Sequence, residues 1–141
     1  MKVKVNLNVP NIKDIEKIAR ESLVDTADVI KTDLQLSQTM PFDTGQLQNR
    51  STYVEEKTKD KVSIVSDTPY ARRLYFHPEY RFKKDNNKNA GGLWFEPYIN
   101  GEKKEVPKRL FIKIMKGRLK WHYQNIKMIL KLIFHGKMQY L

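Results

Sequence analysis

The sequence predicts an α+β fold: a long N-terminal helix packed on a small antiparallel sheet, a long loop, and a C-terminal helix. Three observations predict it. Apolar residues recur at helical spacing from Ile12 to Leu36. Two short runs carrying β-forming residues, 50–56 and 61–67, are separated by a polar turn. Helical spacing returns after Val106-Pro107, where proline is tolerated in a first turn.

The elements follow in order. Residues 2–9 alternate strictly, Val3, Val5, Leu7 and Val9 against Lys4, Asn6 and Asn8, as a strand with one buried face would. Pro10 ends that strand, Asn11 is a fair N-cap, and Asp14 adds negative charge to the first helical turn. In the helix, Ile12, Ile15, Ala19, Leu23, Thr26 and Ile30 form one stripe, flanked by Ile18, Val29 and Leu34. Pro41 disfavours helix at Met40, so the helix is expected to end near 37–39. Tyr53, Val54, Val62, Ile64 and Val65 carry the β-propensity, with the turn at 57–60, and Thr68-Pro69 breaks the second strand. Residues 70–76 fit either a helical turn or a strand.

Residues 78–92 are polar and irregular, and a long exposed loop is expected there, of a length that is usually functional or mobile. Gly91-Gly92 is expected to take positive φ and to deliver Trp94 and Phe95 as anchors of a core or an interface. Asn100-Gly101 marks a turn. In the helix after Val106, Leu110, Phe111, Ile114 and Met115 would face inward, and Gly117 weakens the middle. The core is expected from the Ile12–Leu36 helix, the 50–67 hairpin and the helix over 106–119. This reading divides the chain into a domain over 1–118 and a basic amphipathic extension over 119–141.

Composition narrows the function. The 141 residues carry a formal charge of +11 and no cysteine. That length suits one domain with a modest core. Without cysteine, disulfides and thiolate metal sites are excluded. The start alternates instead of running apolar, so no signal peptide is expected. The longest apolar run, 128–134, is cut by Lys131 and is too short to span a bilayer. A soluble protein made in a reducing compartment is expected. The charge is uneven: residues 1–69 hold 10 Lys/Arg against 11 Asp/Glu, and residues 70–141 hold 17 against 5. Residues 103–141 hold 11 basic residues against Glu105 alone. Such a field favours DNA, RNA, an anionic membrane or an acidic protein, and a solvated basic helix face is equally compatible with it.

Catalytic chemistry finds little support. His77, His122 and His135 lack ligand spacing, with only Glu79 near His77, so no metal or cofactor site is predicted. Nucleophile-elbow, phosphate-loop and dinucleotide motifs are absent. Asp43-Thr44-Gly45 matches the tripeptide of aspartic proteases, whose chemistry needs two carboxylates sharing a proton, which a homodimer could supply. Between a long helix and a strand it reads instead as a turn, with Asp43 capping locally and Gly45 at positive φ. Arg72 and Arg73 among Tyr70, Tyr75, Phe76 and Tyr80 mix cations with aromatics, as a nucleic-acid-binding protein or a small ribonuclease-like toxin would. The plainer reading is a half-buried aromatic segment whose arginines sit at a surface or interface. No enzyme is predicted. The basic 103–141 segment could serve a membrane surface, an acidic partner or DNA, and its spacing does not choose between them.

Three segments, taken in order, carry a resemblance: Pro41-Phe42-Asp43-Thr44-Gly45-Gln46-Leu47, then Thr68-Pro69-Tyr70-Ala71-Arg72-Arg73-Leu74-Tyr75, then Asn89-Ala90-Gly91-Gly92-Leu93-Trp94-Phe95-Glu96. Their order and spacing resemble the minor capsid proteins encoded by tailed phages and prophages of Gram-positive bacteria. Those are similar in turn to the broader phage head–tail joining and tail-completion proteins. The resemblance covers about residues 10–118. It implies a structural bacteriophage protein of the virion neck, without enzymatic activity or cofactor, made in the bacterial host cytoplasm. It implies a homo-oligomeric ring between the head connector and the tail terminator or tube, with a pore that carries DNA, and no membrane contact. Asp43, Thr44, Gly45, Tyr70, Arg72, Arg73, Gly91, Gly92, Trp94 and Phe95 are the interface or structural residues this implies.

Overall fold

The computed structural model describes residues 12–138. The alternating 2–9 segment lies outside the described residues. The first helix, α1, runs Ile12–Leu36. Its buried line is Ile18, Ser22, Thr26, Ile30 and Leu34, spaced by four, with Ala27 beside it. Two of these are polar and satisfy themselves. Ser22 Oγ donates to the Ile18 carbonyl at 2.7 Å and Thr26 Oγ1 to the Ser22 carbonyl at 2.6 Å. The expected stripe is therefore rotated. Ile15 and Val29 are exposed, because Ser22, Thr26 and Ala27 are small enough for neighbours to approach along their line. The helix ends where expected, but the device is local: Gln38 takes φ 56 and Ser37 Oγ donates to the Leu34 carbonyl.

A π-helical turn, Gln46–Arg50, leads into an antiparallel hairpin of β1 (Thr52–Thr58) and β2 (Lys61–Ser66). Thr52 pairs with Ser66 and Val54 with Ile64, and a bulge between Glu56 and Thr58 precedes the turn. Thr52 is buried, and its Oγ1 lies 2.8 Å from the Leu47 carbonyl, to which it donates, and 2.9 Å from Ser66 Oγ. Two short helices follow, α2 (Ala71–Phe76) and α3 (Glu96–Ile99). The segment left open between helix and strand is thus helical. The last helix, α4, runs Val106–Met138 without a break at 118/119.

Both strands and α4 pack on α1. The α1–α4 contact is also ionic, with Arg118 paired to Glu21 and Asp25, and Lys103 in the turn before α4 pairs with Asp33. The fold is the expected α+β arrangement of long helix, small antiparallel sheet and C-terminal helix.

The core differs in place from the expectation. Its centre is Leu34, Met40, Leu47, Ala71 and Trp94, with Leu74, Tyr75, Phe95 and Tyr98 packed against it. The apolar hairpin residues and Leu110, Phe111, Ile114 and Met115 of α4 are only half-buried. Two strands and one antiparallel helix pair cannot enclose a centre by themselves. The irregular segments after α1 enclose it at that helix's C-terminal end.

Candidate functional site

The three segments that carry the resemblance meet in this core. Leu47 comes from the first, Ala71, Leu74 and Tyr75 from the second, and Trp94 and Phe95 from the third. Trp94 is 2% exposed and stands edge-on to Tyr75, ring centres 4.9 Å apart. Its indole Nε1–H is buried with no hydrogen-bond partner among the described residues. Asp33 accepts hydrogen bonds from Lys103 and Tyr98 beside this cluster. The Lys103 hydrogen bond, then the Tyr98 one, hold the Asp33 carboxyl below its ordinary value of 3.8. Burial and the same aspartate push the Tyr98 phenol upward.

Each glycine has a different reason. Gly45 sits at φ 79, and a Cβ there would lie 3.0 Å from both Phe42 and Asn49. Asp43 does not cap this turn. Its carboxylate is largely exposed and lies 3.5 Å from Lys83, while the Gln46 amide donates to Thr44 Oγ1 at 3.4 Å. Thr44's hydroxyl, one residue closer along the chain, is what meets the amide. Gly91 and Gly92 do not take positive φ; Leu93 does, at 52°. Gly92 is required for close approach instead. A Cβ there would lie 2.9 Å from both Pro78 Cα and the Tyr75 carbonyl oxygen. The Leu93 amide donates to that same Tyr75 carbonyl at 2.9 Å. Gly91 is roomy, its nearest neighbour 3.8 Å away.

The 78–92 loop is held in the single chain, which corrects the expectation of a free loop. Asn87 is buried, and its Nδ2 donates to the Met40 carbonyl at 2.8 Å and to Gln48 Oε1 at 2.6 Å. Asn89 Nδ2 donates to the Ser37 carbonyl, and the Gly91 amide to the Thr39 carbonyl, each at 3.0 Å. Three residues just past α1 thus offer carbonyls that the loop caps. Asn87 stands out in the sequence as one of a cluster of asparagines, but nothing there marks Gln48 as its partner.

What remains of the motifs is surface. Asp43, Thr44, Tyr70, Arg72 and Arg73 are exposed. A groove of about 460 Å³ runs between the first two segments, lined by Phe42, Asp43, Gly45, Tyr70, Leu74 and Arg81 among others. Beside it, Arg73 Nε donates to Tyr80 Oη at 3.2 Å, and the Tyr80 ring stacks on His77 with centres 4.7 Å apart. His77 Nδ1 lies 2.6 Å from Glu79 Oε1. That hydrogen bond is the main cause holding the Glu79 carboxyl below its ordinary value.

Among the described residues no three potential ligands cluster to hold a metal ion, and no helix is long and apolar enough to cross a membrane. The site thus has two parts: a buried nucleus that fixes the fold, and a set of exposed motif residues, of which Asp43, Thr44 and Tyr70 line one groove. No known family, curated protein or solved structure matches this chain.

Proposed function

We propose that this chain is a structural component of the neck of a tailed bacteriophage, a ring-forming subunit that joins the head connector to the tail. The observation that carries the reading is the convergence of the three resembling segments on one nucleus around Trp94. Segments spread over more than fifty positions share a core, and residues of the first two, Phe42, Asp43, Thr44 and Tyr70 among them, line one groove. Such an arrangement suits a scaffold whose contact residues are held rigidly. In this reading Trp94 is a folding residue, and Tyr70, Arg72, Asp43 and Thr44 make the contacts between subunits or layers. No catalytic residue is assigned.

Deleting the gene from its phage or prophage tests the reading. Filled heads and finished tails that fail to join, seen by negative-stain microscopy, are the expected result. Normal infectious virions would remove it.

One observation favours a second reading, a small ribonuclease-like toxin. Arg73, His77, Glu79 and Tyr80 form one exposed network with a phosphate-binding cation and an acid–base pair. Purified protein that cleaves RNA, and loses cleavage on His77→Ala, would establish that reading in place of the first.

A further inference from the structure

We propose that the solvent face of α4 binds the phosphate backbone of duplex DNA without reading sequence. At 3.6 residues per turn, Arg109, Lys113, Lys116, Lys120 and Lys127 fall within an arc of about 60°. All five are exposed, and none has an ion-pair partner among the described residues. Half-buried Leu110, Phe111, Ile114, Met115, Arg118 and Ile126 fall on the opposite side of the helix. There Arg118 meets Glu21 and Asp25 of α1. The helix therefore separates its cations. Of its nine, Arg118 is spent on holding α1, and these five stand in line facing outward.

Charge and shape choose the occupant. No acidic residue follows Glu105, so nothing on the helix neutralises the line. From Arg109 to Lys127 the line is straight and about 27 Å long, most of one turn of duplex. Duplex DNA presents a phosphate charge for about every 1.7 Å of axis, and it is a straight polyanion of matching length. Side chains that are point charges position a backbone but carry no base code.

A membrane surface fits less well. An interfacial helix turns its apolar face to lipid, and here that face is turned to α1 at Leu110, Phe111 and Arg118. Exposed Trp121 and Met128 lie on one shoulder of the basic line and Ile112 and Tyr123 on the other, so the exposed apolar residues form no single face. The inference rests on α4 alone and does not depend on the neck reading.

The test is anisotropy of a labelled 30-base-pair mixed-sequence duplex titrated with the full chain at several salt concentrations. Five neutralised phosphates give a log–log salt slope of about −4.5, so affinity falls roughly 500-fold between 50 and 200 mM salt. The triple variant Lys113→Gln, Lys116→Gln, Lys120→Gln should bring the slope to about −1.8 with helical circular dichroism unchanged. The control variant Lys59→Gln, Lys61→Gln, Lys84→Gln removes equal charge elsewhere and should leave the slope near the parental value. Equal slopes for the two triple variants would overturn the proposal in favour of net charge alone. Tighter binding to single strands than to duplex, or capture by anionic phosphatidylglycerol vesicles without duplex binding, would overturn it too.

Discussion

Trp94 and Gly92 show how single residues divide the labour in this chain. Trp94 fills the centre of the core, so Trp94→Ala should cost roughly 3–5 kcal/mol, a large share of a small domain's stability. Its indole N–H makes no hydrogen bond among the described residues, so Trp94→Phe forfeits only volume and should cost about 1–2 kcal/mol. Urea melts of the two variants measure the difference, and equal losses would mean the indole N–H matters after all. Gly91 and Gly92 make a sharper pair. Gly92→Ala drives a methyl into the Pro78 and Tyr75 backbone and should cost about 1–3 kcal/mol. Gly91→Ala makes only an ordinary contact, 3.8 Å from the Asn89 carbonyl oxygen, and should stay within about 0.5 kcal/mol of the parent. Both glycines were visible in the sequence, but their roles were not. Sequence shows that glycine permits unusual dihedrals. Only the fold shows that the constraint at 92 is a neighbouring backbone.

Among the elements, the local ones were the most legible. α1, the hairpin and the start of α4 follow from periodicity, β-propensity and a first-turn proline, all of which act within a few residues. What joins the elements was not legible. Arg118 reaches Glu21 and Asp25 across more than ninety positions, and nothing local to either marks the other. The Asp33 network is of the same kind. Because its carboxyl is held below the ordinary value, the folded chain keeps the anion at pH values where the unfolded chain binds a proton. The network therefore stabilises fully above the ordinary value and is lost as pH falls through the depressed one. Asp33→Asn should flatten the acid limb of a stability–pH profile, and an unchanged limb would show that the network contributes nothing. Within α4, Gly117 has no atom within 4 Å of where a Cβ would lie. Gly117→Ala should raise stability by about 1 kcal/mol, read as a higher melting midpoint.

For the whole molecule, the buried nucleus and the exposed motif residues predict separable defects. A Tyr70→Ala, Arg72→Glu variant removes two exposed side chains of the motifs. It should fold with a parental melting curve and fail to restore head–tail joining when supplied to a phage lacking the gene. Restored joining would move the contacts elsewhere on the surface. The exposed residues were legible through the motifs that contain them. Their separation from Trp94 was not, because buried and exposed positions alternate within each motif, and helix, turn and loop share no common period.

The Asn87 tether, finally, bears on how the chain leaves the ribosome. Met40 and Gln48 wait for a side chain some forty positions downstream, and Leu34 waits still longer for Trp94. At roughly 5–20 residues per second, synthesis leaves Leu34 without its tryptophan for about 3–12 s. Premature termination anywhere before the tryptophan codon thus yields an adhesive, unclosed fragment. The nascent protein's most vulnerable interval is written into the distance along the chain between a leucine and the tryptophan that covers it.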